Sequence, residues 1–313
     1  MPDWLYDELK GGPPMKHVNK IGKDGRLVLE SSVENEVPGL VPLLAQLSGL
    51  DDSVDRAYFC HPSVQHCYKR KSHSGFCGYL NIQMQISYIR GAQAPGHQKF
   101  VRRIPGILDI QEMIELAWDR GICDLGRLQT GGVRNTRKWI GTPEVRMTLL
   151  EQSHNCILEN DCPLPYSRCT DVRYANLLQA TTIYESLAIR HHSNVFHDRK
   201  DCRAYCQVYD FVEDYFSKDQ PAIGRIRMTQ RAPIYFQQPG HSLTIVGFEC
   251  HKNGSRNLIV FDPAFGPAKD VRRLIGKRDV KYRIPGRDRE KLLRAYRRTS
   301  AQIAKYDSFE TLT

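Results

Sequence analysis

The chain has 313 residues, enough for one large α/β or α+β domain with a sizeable core. With 41% hydrophobic and 26% charged residues it has the composition of an ordinary globular protein, not of a disordered or fibrous chain. No run of about 18 apolar residues occurs, so no membrane span is expected, and the net charge of +10 points toward acidic partners.

The opening MPDWLYDELKGG has no apolar core of the kind a secretion signal carries. The ten cysteines are therefore expected as reduced thiols, in cytoplasm or nucleus. Residues 1–37 mix Gly, Pro, Lys and Glu with little periodicity and read as a loosely structured lead-in. Residues 38–313 read as a single domain.

That domain begins with PGLVPLLAQLSGL, whose Leu40, Leu43, Leu44 and Leu47 fall on one side of a short helix. The run SHSGFCGYLNIQMQISYI, Ser72 to Ile89, supplies a second helix with Ile82, Ile86 and Ile89 at helical spacing. DIQEMIELAWDRG reads as a third, with Asp109 and Glu112 as a capping box and Gly121 as the stop. TPEVRMTLLEQ starts a fourth, with Thr142 as cap and Pro143 in the first turn. Helical patterns also run from Thr170 to His192 and from Asp201 to Ser217.

The texture then changes. APIYFQQ, SLTIVGFEC and NLIVFDP are rich in β-branched and aromatic residues and punctuated by Gly, Pro and Asn, which predicts three sequential antiparallel strands. Helices first and strands later give a two-layer α+β class. Between Lys269 and Arg298 thirteen Lys or Arg stand against four acids. That segment suits nucleic acid or an acidic surface, or simply a solvated helical face, since DREKLLRAYRR keeps Leu292, Leu293 and Tyr296 on one stripe.

Cys77 stands out because packing gives no reason for a thiol there. At the first turn of a helix it faces unpaired N–H groups and the positive end of the dipole, which favour the thiolate. Gly75 and Gly78 leave the backbone around it open. A nucleophile needs a base, and His241 opens a predicted strand far downstream. If that strand pairs with the next as a hairpin, Asp262 at the end of NLIVFDP lies beside His241 and can orient its imidazole.

Four segments in this order, GFCGYLNIQMQISYI, KWIGTPEV, RAPIYFQQPGHSLTIVGFE and NLIVFDP, resemble the papain-like cysteine peptidases that act on ubiquitin and the ubiquitin-fold modifier, within the zinc-finger ubiquitin peptidase branch. The resemblance covers roughly Ala57 to Leu274 and implies a papain-like fold, its nucleophile helix packed on an antiparallel sheet, and a triad of Cys77, His241 and Asp262. The acid follows the base here; proteases for the ubiquitin-fold modifier usually place it two residues before. The order therefore implies a deubiquitinase acting on ubiquitin or polyubiquitin. The departures are Leu80, where the family motif has arginine, and the lack of zinc fingers ahead of the matched residues.

A cleft for ubiquitin's basic, diglycine tail needs a roof and an acid. Trp139 and Glu144 supply both types, although a core tryptophan and a first-turn glutamate would read the same. An oxyanion donor is expected upstream of the nucleophile. Gln65 is the first choice, because an amide N–H needs no protonation; His66 is second and Tyr68 third. Cys60, His61, His66 and Cys67, or His197, Cys202 and Cys206, lack the usual paired zinc spacing, so thiols are expected there and no metal or cofactor. A protease for the ubiquitin-fold modifier, and a non-catalytic ubiquitin- or nucleic-acid-binding module, are the alternative readings.

Overall fold

The computed structural model describes residues 1–21, 24–70, 75–122, 125–149, 192–218, 224–277 and 280–313. The helical pattern expected from Thr170 lies outside the described residues, save for its last position.

The first 37 residues are not a loose lead-in. They form helix α1 (Asp3–Gly11) and an antiparallel hairpin of β1 (Met15–Ile21) and β2 (Leu27–Val33), followed by β3 (Glu36–Val37). Leu5 and Leu9, one turn apart, anchor α1 in the common core, while Trp4 is exposed, so a single buried pair is too little to register as a period. An ion pair from Glu8 to Arg70, at 3.1 Å, ties the same helix to the segment that follows β5.

Helix α2 (Leu40–Gly49) buries Leu40, Leu43, Leu44 and Leu47, the stripe the sequence draws. Strands β4 (Val54–Phe59) and β5 (His66–Cys67) lead to α3 (Cys77–Gly91). Every residue of α3 from Gly78 to Ser87 is buried, polar ones included, so this is a central helix and not a one-faced one. Next come α4 (Ile107–Asp119), α5 (Leu125–Thr130), a helical stretch α6 over 142–149, β6 (Ser193–His197) and α7 (Ala204–Ser217).

The caps of α4 and α6 differ from expectation. Helix α4 starts at Ile107, and the Asp109 carboxylate accepts the Gly106 N–H at 2.8 Å. Glu112 instead pairs with Arg134. In α6 the N–H of Gly141 is taken by Glu144, at 2.9 Å, which moves the cap one residue before Thr142. In both cases glycine holds the cap position and a carboxylate three residues on closes it, a pattern hidden because glycine has no side chain to announce it.

The strands β7 (Ile226–Met228), β8 (Ile234–Gln238), β9 (His241–His251) and β10 (Arg256–Phe261) follow. Three short helices, α8 (Lys269–Leu274), α9 (Val280–Arg283) and α10 (Gly286–Arg294), lead to β11 (Arg297–Thr299), α11 (Ser300–Ile303) and β12 (Ser308–Leu312). The main sheet runs β11-β10-β9-β8-β12-β6, with β4 also pairing β9. The three strands read from the sequence are its middle. Strand β9 is 11 residues long and buried from Ser242 to Cys250, because β4, β8 and β10 flank it and α3 lies against it. The antiparallel β9–β10 register pairs Thr244 with Phe261, which brings the start of one strand to the end of the other. Among the described residues no helix is long and apolar enough to cross a membrane.

Candidate active site

Cys77 is the first residue of α3 and is partly buried. Helix α3 packs on β9, so the thiol lies against the first residues of that strand. Burial by itself would push the Cys77 thiol up. Hydrogen bonds from the His241 ring, the Ser242 hydroxyl and the Ser242 N–H outweigh it and bring the group down to about 7. The partner moves the opposite way. Burial would lower His241, but its bonds to Asp262 and Cys77 raise it to about 9. A thiol near 7 beside an imidazole near 9 is a thiolate–imidazolium pair at neutral pH.

His241 donates from Nε2 to Asp262 Oδ1 at 2.8 Å, which leaves Nδ1 for the sulfur. Asp262 is 8% exposed, yet its carboxyl is held below the usual range, because the His241 ring, the Ala264 N–H at 2.9 Å and the Arg298 guanidinium at 2.8 Å all favour the carboxylate over the cost of burial. The three residues chosen from the sequence thus meet at one end of the sheet.

Two further residues hold them there. Asn81, one turn beyond Cys77 and fully buried, donates to the Cys77 carbonyl and to Ser242 Oγ, each at 2.9 Å, and accepts from the Thr244 hydroxyl at 2.7 Å. It ties the nucleophile helix to the base strand. An asparagine in a helix interior, where it is a poor helix former, was the available signal. His66 donates to the Asp262 backbone carbonyl at 3.1 Å and stacks on Phe261 with ring centroids 4.7 Å apart. Complete burial lowers its ring to about 4, so it is neutral at any working pH.

That placement takes His66 out of the oxyanion position considered for it, since its N–H is spent on Asp262. Tyr68 is spent too: its hydroxyl donates to the Glu34 carbonyl at 2.7 Å and accepts from Arg272. Gln65 is half-buried just ahead of β5, and its backbone N–H goes to the Ser87 hydroxyl at 2.9 Å. Among the described residues its side-chain amide has no hydrogen-bond partner.

Trp139 is 62% exposed and lies beside Gly75, two residues before the nucleophile. Gly75 has φ +90°, and a Cβ there would sit 3.0 Å from the indole Nε1. Lys138 braces this loop through the carbonyls of Thr130 and Gly132. Glu144, expected to meet a substrate arginine, is placed otherwise. It is 6% exposed, its carboxylate takes the Gly141 N–H, and it packs against Gly126 of α5, where a Cβ would lie 2.5 Å from Oε1. A carboxylate in the first helical turn satisfies orphan N–H groups, and here that local demand wins.

Cys60 and Cys67 are fully buried, and burial pushes both thiols well up. The Cys202 thiol donates to the Arg203 carbonyl at 3.6 Å. The described residues hold no group of three or more His, Cys, Asp or Glu placed for a metal ion.

Comparison with known proteins bears on this geometry. The profile of peptidase family C78 matches residues 53–161 and 177–311. The chain is 27% identical over 220 residues to zinc finger-containing ubiquitin peptidase 1 of Mus musculus, and 26% identical over 220 residues to that of Homo sapiens. Each match takes in 69% of this chain and 32% of the relative, so the chain corresponds to about a third of those proteins. The crystal structure of UfSP from C. elegans overlays with a TM-score of 0.43 and 12% identity, over 84% of this chain and 34% of that one, a likeness too distant to bear on the site. The α+β fold, with α3 laid on the antiparallel sheet, is the papain-like one. The chain belongs to peptidase family C78, a family of cysteine peptidases.

Proposed function

We propose that the chain is a deubiquitinase that hydrolyses the peptide or isopeptide bond after the C-terminal glycine of ubiquitin, in polyubiquitin chains as well as in single conjugates. The observation that carries the reading is the Cys77–His241–Asp262 constellation, with the thiolate–imidazolium pair formed before any substrate arrives. Trp139 beside Gly75 supports an extended glycine tail as the group bound next to it: the exposed indole offers a flat apolar face at a residue two before the nucleophile in the chain. The similarity to ubiquitin peptidases of mouse and human favours ubiquitin among the proteins with such a tail.

The proposed chemistry is acyl transfer through a thioester on Cys77. The Cys77 thiolate attacks the carbonyl carbon of the terminal glycine, and the Gln65 amide donates to the oxyanion that forms. His241 then gives its Nδ1 proton to the leaving amine, and a thioester remains on Cys77. Water attacks the thioester as His241 takes a proton from it, and the ubiquitin carboxylate departs from the restored pair. Asp262 keeps Nε2–H engaged throughout, so Nδ1 is always the nitrogen facing sulfur.

Ubiquitin and the ubiquitin-fold modifier, each carrying a C-terminal electrophile, are to be incubated with the protein side by side. Covalent capture of the ubiquitin probe at Cys77, lost in Cys77→Ala, is the expected result. Faster capture of the ubiquitin-fold modifier would overturn the substrate, and labelling of Cys77→Ala at another cysteine would overturn the nucleophile.

A further inference from the structure

The basic segment between Lys269 and Arg298 ends in a residue that does not face solvent. Arg298 lies on β11, opposite Leu258 of β10, with its carbonyl accepting from the Tyr209 hydroxyl at 2.7 Å. Its side chain is 19% exposed. One guanidinium nitrogen donates to the carbonyls of Ala295 and Arg297, at 3.0 and 3.3 Å, and the other to Asp262 Oδ2 at 2.8 Å. The two carboxylate oxygens of Asp262 are therefore divided. Oδ1 serves His241 and the Ala264 N–H, and Oδ2 serves Arg298.

We infer that Arg298 is a positioning residue of the active site: anchored on its own strand, it fixes the rotation of the Asp262 carboxylate and so the orientation of the His241 ring. The inference rests on the reading of Cys77, His241 and Asp262 as the catalytic groups. A carboxylate held at one oxygen turns about its last torsion, which is broad for Asp, and each turn lengthens the bond to His241. A guanidinium on the second oxygen removes that freedom at little entropic cost, because it is already fixed by two carbonyls. The remaining charged and titratable groups near Asp262 do not reach Oδ2. His66, from β5, meets only its backbone carbonyl, Arg272 of α8 is bonded to Tyr68 and Pro267, and Cys77 lies beyond the His241 ring.

Arg298 also acts through its charge. A cation favours the thiolate wherever the carboxylate points, so removing charge alone would move the thiol upward as well. That contribution persists when Asp262 is absent, whereas the orienting role acts only through Asp262. The Asp262→Ala background therefore separates the two roles.

The test measures alkylation of Cys77 by iodoacetamide against pH, read at that residue by mass spectrometry, in wild type, Arg298→Met and Arg298→Lys. It uses no protein substrate, so it holds or fails independently of whether ubiquitin is cleaved. In folded Arg298→Met the alkylation limb is expected to move up by about one pH unit, and kcat on the substrate found by the probe experiment to fall about tenfold at unchanged KM. Arg298→Lys, which keeps one donor and the charge, should recover kcat to within about threefold of wild type. In an Asp262→Ala background, Arg298→Met should cost nothing further, because the group it acts through is gone. A limb that stays in place or moves down, or an equal loss in the Asp262→Ala background, would overturn the inference. Should Arg298→Met not fold, Arg298→Gln is judged by the same criteria.

Discussion

The reactive pair can be tested by removing half of it. His241 is the first of the contacts that bring Cys77 down to about 7, while burial pushes the other way. In His241→Ala the thiol loses that contact, keeps the burial and retains only Ser242, so its titration should return toward its ordinary value of 9.0. At pH 7.5 a group titrating at 7 is roughly three-quarters thiolate, and one titrating at 9 about 3%. Alkylation of Cys77 by iodoacetamide at that pH should thus fall about 25-fold, and at pH 10 the two proteins should react alike. Peptide cleavage should fall much further, because the variant also lacks the acid that protonates the leaving amine. In wild type kcat/KM should rise with pH through about 7, as the thiol ionises, and fall through about 9, as the imidazolium loses its proton. If the alkylation limb of His241→Ala stays within about half a pH unit of wild type, the thiolate is held by the N-terminus of α3 and Ser242, and the assignment of His241 as its counter-ion is wrong.

Gln65→Ala should lower kcat about 10²–10³-fold at unchanged KM, as expected of an oxyanion donor; a wild-type kcat would pass that role to a backbone N–H. Gly75→Ala forces a Cβ against the Trp139 indole at a backbone angle that suits glycine, so kcat/KM for a diglycine-tailed substrate should fall at least tenfold while thermal melting moves little. A large fall in Tm with unchanged turnover would instead mark the contact as part of the core. Glu144→Ala should cost about 0.5–2 kcal/mol of stability through the lost cap and leave kcat/KM of the folded enzyme within about threefold. A tenfold loss in kcat/KM at unchanged Tm would restore Glu144 to the substrate channel.

The amino-acid sequence alone determined the elements whose signals are local. The leucine stripe of α2 and the β-branched runs of β8, β9 and β10 are periodic patterns written in adjacent residues, and a thiol between glycines at a helix start carries its own reason. His241 and Asp262 were legible as neighbours because a hairpin fixes its own geometry: the start of one strand must lie by the end of the next. What only the tertiary structure decided are contacts between segments far apart in the chain. Arg298 reads as one more cation in a basic run until β11 pairs with β10 and delivers it to Asp262. His66 looks like a candidate donor until the fold spends its N–H on a carbonyl 196 residues away. Glu144 satisfies both a cap and a substrate pattern, and its burial against Gly126 chose the cap. In each case the residue type permitted several partners, and a buried polar group takes whichever partner the packing brings within reach, because leaving it unpaired costs more than any preference encoded nearby.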